Sequence, residues 1–302
     1  MSCRSALLAC LCWLGIHVAQ AATLDLDRAE VQAFIDAACA EHGLERTWVE
    51  SILSRAESQP DIIELISRPA EKRLTWGEYR ENFLDEKRIS AGVAFWKEHA
   101  QRLAAVQQET GVDASVIVGI LGVETRFGHI TGRHRVLDAL VTLAFDYPPR
   151  SEYFRSELGE FLALARDHGV SPLESRGSYA GAMGFGQFMP RSYRIYAVDG
   201  NGDGRRDLFT DWDDAISSVA NYLVQHGWRR GEAMLSDGSL RGGGDDGSPT
   251  TDIEVMGTSG PIKLTGLHNL GVVMRYNRSL LYALAVEELG RTIAFRLADE
   301  SR

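Results

Sequence analysis

Apolar positions recur every three to four residues over much of the chain, the spacing of an amphipathic helix. In the first such segment, Val31, Phe34 and Ile35 share one face, with Asp27 as the expected cap and Gly43 as the expected stop. The same spacing predicts helices over residues 27–42, 46–56, 85–110, 113–127, 135–144, 151–168, 213–225 and 275–289, the last continuing to about 292.

Two stretches depart from the helical pattern. Residues 236–252 are rich in Gly, Ser, Asp and Thr, which predicts a flexible surface segment. Residues 251–267 have weak strand character, with Ile253, Val255, Ile262 and Leu264 between glycines. No period of 20 to 50 residues recurs, so a solenoid is not expected. The pattern therefore predicts a mainly α fold with a small β element.

The first 21 residues are typical of an export signal rather than of the fold. Arg4 supplies a positive start, an apolar run follows, and Ala19 and Ala21 are small residues at the positions that a signal peptidase reads. Cleavage before Ala22 gives a periplasmic protein. The alternative is an outer-membrane lipoprotein, attached to the membrane only if Cys10 is lipidated.

Composition and charge narrow the classes of protein to which the chain can belong. The 302 residues are 44% hydrophobic and 25% charged, so the chain is able to bury a core. Its net charge of −10 would repel a phosphate backbone, and we expect no nucleic-acid partner. Cleavage of the signal would leave Cys39 as the single cysteine, which excludes an intramolecular disulfide. After the signal, residues 22–297 are predicted to form a catalytic region with a helical part (27–110), a core (111–235) and a C-terminal helix.

A carboxylic acid stands out near the end of one predicted helix. On a helix, Ile117, Ile120, Leu121 and Glu124 lie on one face, so the acid continues an apolar stripe. Desolvation and the negative end of the helix dipole both favour the neutral form and predict a raised pKa for Glu124. Such an acid can act as a general acid. The alternative is that it pairs with Arg126 or another arginine.

The segment 177–190 contains four glycines, which let other groups approach the backbone closely. Ser178 and Gln187 would supply polar contacts in a groove floor of this kind. A phosphate loop is excluded because no Gly-Lys-Ser or Gly-Lys-Thr ends the run. The segment on its own is equally compatible with a tight helix-packing element.

Four ordered segments together resemble the lytic murein transglycosylase B family. They are Gly-Val-Glu-Thr-Arg-Phe-Gly at 122–128, Ser-Tyr-Ala-Gly-Ala-Met-Gly-Phe-Gly-Gln-Phe-Met-Pro at 178–190, Ser-Val-Ala-Asn-Tyr-Leu at 218–223 with Gly-Trp at 227–228, and Arg-Tyr-Asn-Arg-Ser at 275–279. The resemblance covers most of residues 29–235 and resumes at about 267–290. It implies a lysozyme-like helical fold of the goose-type and transglycosylase kind, with a deep glycan groove.

The family resemblance also implies residue roles. Its catalytic glutamate matches Glu124, and its substrate-binding residues match Ser178, Gln187, Tyr153, Tyr222, Tyr276 and Asn277. Many members have two basic residues where this chain has Pro149 and Arg150, which puts one basic contact in doubt.

The implied reaction cleaves the β-1,4 bond between N-acetylmuramic acid and N-acetylglucosamine of peptidoglycan without water. An ordinary glycosidase needs two acids roughly 5 to 9.5 Å apart. No second acid lies in the Gly-rich or Tyr-Asn segments, so Glu124 would act as acid and then as base, leaving a 1,6-anhydro end. The chemistry needs no cofactor. The expected partners are peptidoglycan strands, with cell-wall synthesis enzymes as further candidates. Alternatives are a muramidase that uses water and a non-catalytic murein-binding protein.

The acidic segment 199–213 resembles an EF-hand calcium loop. The expected ligands are Asp199, Asn201, Asp203, the backbone of Arg205, and Asp207, at loop positions 1, 3, 5, 7 and 9. Gly204 stands at the turn position 6. Thr210 occupies position 12, where a bidentate Glu is usual, which predicts modest affinity. The alternative is a surface turn cluster without a metal.

Overall fold

The computed structural model describes residues 22–67, 74–236 and 250–300. Within these ranges the chain is mainly helical. The helices are α1 Ala29–His42, α2 Arg46–Leu53, α3 Pro60–Ser67, α4 Trp76–Glu81, α5 Glu86–Glu98, α6 Ala100–Thr110, α7 Ala114–Thr125, α8 Val136–Phe145, α9 Ser151–His168, α10 Pro190–Tyr196, α11 Trp212–Gln225, α12 His268–Tyr276 and α13 Leu280–Glu300. A short 3-10 turn, Pro148–Arg150, precedes α9. In the described part of the chain, none of the helices combines the length and apolar character needed to cross a bilayer.

Local capping signals explain where several helices begin and end. Gly43, Gly111 and Gly169 follow α1, α6 and α9 in the left-handed conformation that glycine adopts without a Cβ clash. At the other end of a helix, Asp85 accepts the Arg88 amide at 3.0 Å and caps α5. The predicted cap at Asp27 was wrong, because α1 begins at Ala29.

Helices α7 and α13 pack against each other at very close range. A Cβ on Gly119 would lie 2.3 Å from the Val286 carbonyl oxygen, and one on Gly290 would lie 2.1 Å from the Ser115 carbonyl oxygen. The two backbones therefore touch at positions where only glycine fits. This packing brings Glu124, near the end of α7, beside the first turns of α13.

Two predicted helices are interrupted. The predicted helix over 85–110 is broken at His99, whose backbone has φ −105° and ψ 20° and whose ring packs 5.7 Å from Trp212 of α11. The predicted C-terminal helix over 275–292 is divided between α12 and α13, and α13 continues to Glu300. Its first residues end α12, Asn277 is extended at φ −139° and ψ 126°, and Ser279 accepts the Tyr282 amide at 3.3 Å at the start of α13.

The β structure is small, as predicted. Strands β5 Thr251–Gly257 and β6 Gly260–Gly266 form an antiparallel hairpin with Ile253 opposite Leu264. Two-residue strands pair β1 Ala22–Thr23 with β2 Glu57–Ser58, and β3 His134–Arg135 with β4 Arg176–Gly177. The predicted mainly α fold with a small β element is confirmed.

The predicted flexible segment 236–252 is ordered at both ends. The Ser236 amide donates to the Thr265 carbonyl oxygen at 2.9 Å, and Thr251 and Asp252 belong to β5. Its middle, 237–249, lies outside the described residues, as do the predicted signal segment and Cys10. Cys39 is a half-buried free thiol.

Candidate active site

Glu124 lies in the last turn of α7, immediately before a strained turn. Arg126 and Phe127 both have positive φ, at 51° and 56°. Their amides donate to the carbonyl oxygens of Gly122 and Leu121, which closes the helix end. Consecutive non-glycine residues in this conformation cost on the order of 1–3 kcal/mol each, and such strain is concentrated at functional sites.

A buried tyrosine holds the carboxyl group of Glu124. The Tyr282 hydroxyl, from the first turn of α13, donates to Glu124 Oε1 at 2.7 Å, and the Tyr282 residue is only 2% exposed. Tyr276 stacks parallel to Tyr282 with ring centroids 6.5 Å apart. Burial, and then the charge of Glu124, raise the pKa of both phenols well above the usual value. Both tyrosines therefore act as neutral hydroxyl donors.

The sequence left open that Glu124 forms an ion pair with Arg126. In the structure, Arg126 bonds to Asp85. Its Nη2 donates to Asp85 Oδ2 at 3.2 Å, at the start of α5. The same carboxylate lies 3.9 Å from the buried Arg88. Asp85 thus holds Arg126 by a hydrogen bond beside the turn that follows Glu124, with Arg88 at the edge of ion-pair distance.

The Gly-rich segment 177–190 starts in β4 and ends at the first residue of α10. Between them it is a series of turns and isolated bridges that lies against the end of α7. The Thr125 hydroxyl donates to the Phe185 carbonyl oxygen at 2.9 Å, and the Tyr276 hydroxyl donates to the Gly186 carbonyl oxygen at 2.6 Å. A Cβ on Gly186 would lie 2.9 Å from the Tyr276 hydroxyl oxygen, so a larger residue would displace this bond. The segment is therefore not the helix-packing element that its glycines also allowed.

The two polar residues predicted in this segment fix its shape. Ser178 Oγ accepts the amides of Ala180 and Ala182 at 3.2 and 3.1 Å. Gln187 has φ 50°, and its Nε2 donates to the carbonyl oxygens of Thr131 and Gly184, each at 3.0 Å. The structure thus ties Gln187 to the loop after α7, whereas Ser178 organises its own turn.

Two predicted substrate residues, Tyr222 and Tyr276, pack against each other, and a third, Asn277, is adjacent in the chain. The Tyr222 ring lies 4.8 Å from Tyr276 and 4.0 Å from His226, and its hydroxyl donates to the Arg275 carbonyl oxygen at 2.7 Å. Burial is the main cause that raises the pKa of Tyr222 to about 12. Asn277 follows Tyr276 directly, in the link between α12 and α13. Glu124, Tyr282, Tyr276 and Tyr222 therefore form a continuous row.

Tyr153 occupies the first turn of α9. The residue is 39% exposed, and the Arg150 guanidinium lies 4.5 Å from the centroid of its ring. Burial raises the pKa of Tyr153 to about 12, and the charge of Glu157 adds to this effect.

Sequence reasoning missed the residues that join these parts. Tyr282 lies within the C-terminal helix that the sequence predicts, and nothing in its spacing indicated that it faces Glu124. Trp212 stacks on Phe185 at 3.6 Å with an interplanar angle of 6°, which supports the Gly-rich segment from behind. The only sequence signal was the position of Trp212 near the end of the acidic segment 199–213.

In the acidic loop, the predicted calcium ligands form hydrogen bonds to other residues of the same loop. Asp199 accepts the amides of Gly202, Asp203 and Gly204 at 2.7, 3.2 and 2.7 Å, and the Gly204 bond is the largest cause of its lowered pKa. Asn201 donates to Asp211 Oδ2 at 2.7 Å. Throughout the ranges the structure covers, no three His, Cys, Asp or Glu side chains gather as a metal site. The ligand atoms that these residues would offer a metal are nonetheless all oxygen atoms, the class that Ca²⁺ prefers.

The end of this loop also supports the site. Asp207 accepts the amides of Phe209 and Thr210 at 2.8 and 3.0 Å. The next carbonyl oxygen, of Leu208, accepts the Phe185 amide at 2.8 Å. Arg205 donates its amide to Asp203 Oδ1 at 2.8 Å. The loop therefore contacts the Gly-rich segment through its own backbone.

The fold and the site define a helical protein with one carboxylic acid at a strained helix end, enclosed by tyrosines and a Gly-rich floor. The chain belongs to the family described as Transglycosylase SLT domain, which matches residues 27–291.

Known proteins agree with this assignment. The chain is 38% identical over 299 residues to the membrane-bound lytic murein transglycosylase B of Escherichia coli (strain K12), covering 87% of this chain and 82% of that protein. The soluble lytic transglycosylase SltB1 from Pseudomonas aeruginosa is 43% identical, with a TM-score of 0.81 over 87% of this chain and 98% of that chain. The Escherichia coli lytic transglycosylase Slt35 in complex with calcium is 37% identical, with a TM-score of 0.82 over 91% and 96%. The predicted family and its lysozyme-like fold are thus confirmed.

Proposed function

We propose that this protein is a peptidoglycan lytic transglycosylase that cleaves the β-1,4 bond between N-acetylmuramic acid and N-acetylglucosamine and leaves a 1,6-anhydro end. The observation that carries the proposal is the carboxyl group of Glu124, half-buried at the end of α7 and held by the Tyr282 hydroxyl at 2.7 Å. Membership of the transglycosylase family supports it.

In the proposed reaction, one carboxyl group serves two successive steps. Glu124 first gives its proton to the glycosidic oxygen as the bond from C1 to that oxygen breaks, and the N-acetyl group of the muramic acid stabilises C1. The C6 hydroxyl then bonds to C1 and returns a proton to Glu124. No water is consumed, and the acid is regenerated. Tyr282 holds one carboxyl oxygen in place through both steps.

The surrounding residues are suited to holding a glycan strand. Aromatic rings pack against the apolar faces of sugars, and Tyr153, Tyr222 and Tyr276 present such rings. Ser178, Gln187 and Asn277 lie on the segments beside them and supply polar groups. We propose these six as the substrate-binding residues.

The decisive experiment is incubation of the purified protein with sacculi, followed by mass spectrometry of the released sugars. We expect anhydro products. Products heavier by one water would identify a muramidase. Failure to release any sugar, with retained strand binding, would identify a murein-binding protein.

We further propose that the loop 199–213 binds Ca²⁺ through Asp199, Asn201, Asp203, Asp207 and the carbonyl oxygen of Arg205. Support comes from the oxygen-only donor set and from the related calcium complex at 37% identity. The ion would brace the loop that carries Leu208 against the Gly-rich segment, and the chemistry itself needs no cofactor. Calorimetric titration should give heat, and calcium should raise the melting temperature, with Asp203→Ala, which removes a ligand oxygen, abolishing both. Absence of heat and of a melting shift in the unsubstituted protein would exclude the site.

We propose that the protein is exported to the periplasm by residues 1–21, and that it acts there on glycan strands. Support comes from the signal-like pattern around Ala19 and Ala21. The relative named as membrane-bound keeps lipidation of Cys10 as the competing outcome. The intact mass of the mature protein separates the two, because cleavage before Ala22 removes Cys10.

A further inference from the structure

A cavity of about 440 Å³ lies at the far end of α7 from Glu124. Asp113, directly before the first residue of α7, is part of its lining, whereas Glu124 lies in the last turn of the same helix. The 12 residues of α7 separate the two by about 18 Å, at about 1.5 Å per residue. The cavity is therefore distinct from the candidate active site, and the proposed reaction gives it no role.

An indole ring and two amide groups form one part of the lining. Trp96, in the last turn of α5, is half-buried there, and Gln107 and Gln108 of α6 line the same cavity. Gln107 Oε1 accepts the Ala114 amide at 2.8 Å, which fixes the side chain and leaves its NH2 group as a donor. Gln108 is exposed, so its amide group is also accessible. The cavity thus offers an aromatic surface together with hydrogen-bonding groups.

Asp113 adds an acceptor that its own helix does not use. It is the N-cap residue of α7, but its side chain accepts no amide of the first turn. Burial is the one cause that raises the pKa of Asp113, so no hydrogen bond or cation among the described residues offsets its partial loss of water. An acid in this state lowers stability, and such acids are concentrated at functional sites.

Arg230 limits which ligand fits the cavity. Its Nη2 donates to the carbonyl oxygens of Gln108 and Glu109, each at 3.1 Å, and its side chain lies over Gly111. This guanidinium opposes an ammonium group, and the Asp113 carboxylate opposes a phosphate group. A sugar such as N-acetylglucosamine is uncharged. Its C–H face packs on an indole ring, and its hydroxyl groups donate to a carboxylate and accept from amides, so the lining favours a saccharide.

We propose that this cavity is a second glycan site, which binds N-acetylglucosamine units of a peptidoglycan strand and keeps the protein on its insoluble substrate. The inference rests on the proposed function, which supplies the strand as the ligand. A protein held at one site meets the neighbouring stretch of strand at a raised effective concentration, so two weak contacts give strong retention.

Co-sedimentation with sacculi tests the proposal, in a Glu124→Gln background so that the strands stay uncut. Trp96→Ala removes the aromatic surface and should raise the Kd for sacculi by about tenfold or more, because the avidity of two linked contacts is lost. Trp48→Ala is the matched control and should leave the Kd unchanged. Trp48 is also half-buried, but its cavity, of about 550 Å³, is lined mainly by apolar residues and by no amide side chain.

Asp113→Asn separates binding from folding. A carboxylate forms stronger hydrogen bonds than an amide oxygen, so this variant should raise the Kd for sacculi by about three- to tenfold. The same change removes an uncompensated charge and should raise the melting temperature at pH 7, whereas a purely structural role would weaken binding only through lost stability. This variant keeps the proposal testable if Trp96→Ala does not fold. An unchanged Kd for Asp113→Asn overturns the proposal, as does an equal rise for Trp96→Ala and Trp48→Ala.

Sacculi stripped of their peptides identify the ligand. The effect of Trp96→Ala should persist on these bare strands. An effect that is seen only with peptide-bearing sacculi would assign the cavity to the peptide and overturn the glycan assignment.

The outcome is separable from that of the proposed reaction. Sedimentation needs no cleavage, so it measures the second site even if the unsubstituted protein releases no anhydro sugar and the proposed function fails. On a soluble tetrasaccharide, which occupies the candidate active site alone, Trp96→Ala should keep kcat and KM within about twofold, while its KM for sacculi rises. If anhydro sugar is released but Trp96→Ala sediments like its parent, only the second site fails.

Discussion

Replacing Glu124 by Gln separates catalysis from folding. Gln keeps the volume of the side chain and an oxygen that can accept the Tyr282 hydroxyl, which lies 2.7 Å from Oε1. It removes the transferable proton. The substitution therefore tests the carboxyl group itself rather than the shape of the site.

The two effects differ in size. A hydrogen bond to a charged group contributes about 1.5–3 kcal/mol and one between neutral groups about 0.5–1.5 kcal/mol, so the folding cost is about 1 kcal/mol. This lowers the melting temperature by about 2–4 °C for a domain of about 150–250 residues, and by a similar amount or less here. Loss of general acid–base catalysis costs about 10²- to 10⁴-fold. Because one group serves both steps, we expect a loss of at least about 10³-fold, about 4 kcal/mol in the barrier.

Release of anhydro sugar from sacculi, followed by mass spectrometry, measures the activity, and calorimetry measures folding. Glu64→Gln, an exposed acid of α3, is the control and should match the unsubstituted protein in both. A folded Glu124→Gln protein that retains more than a tenth of the turnover would refute the reasoning. So would a loss of turnover that is explained by unfolding.

Three further predictions concern the site and its support. Tyr282→Phe should fold but lower kcat by about tenfold, measured on glycan strands, because the bond that holds Glu124 is lost; unchanged kcat would contradict it. Gly184→Ala should be less stable than Gly202→Ala by at least about 1 kcal/mol and unfold at a lower denaturant concentration. Both glycines have positive φ, but only a Cβ on Gly184 would lie 2.5 Å from a carbonyl oxygen. Equal unfolding midpoints would contradict this prediction. Burial raises the pKa of Asp113 in the folded state, so the folded protein binds its proton more tightly and loses stability as pH rises from the unfolded value of about 3.9 through the folded pKa. Asp113→Asn should remove that loss and be the more stable protein at pH 7, with the difference vanishing below pH 4 in denaturant titrations.

Much of the helical architecture was determined by short-range signals in the sequence. The period of apolar residues located α8 and α9 to within a residue, and Gly43 gave the end of α1. These features depend on interactions within one or two turns, which any local stretch contains. The alternation in 251–267 gave the hairpin for the same reason.

The candidate site was only partly accessible in this way. Glu124 was predicted from its place on an apolar helix face. The substrate-binding residues around it were predicted from segments that resemble one family. Their distances were not predictable, because Tyr282 and Glu124 are separated by 158 positions and meet only when α13 packs on α7 at Gly119 and Gly290.

Tertiary contacts also decided where regular structure stops. The helical pattern continues through His99 and Asn277, yet both residues leave the helix. His99 packs against Trp212 from another part of the chain, and the hydroxyl bond of Tyr276 to Gly186 holds the end of α12 in place. Sequence alone determined which segments could be helices and which acid could react. The packed structure decided their ends and partners, because free energy gained in distant contacts outweighs the small local preference for one more helical turn.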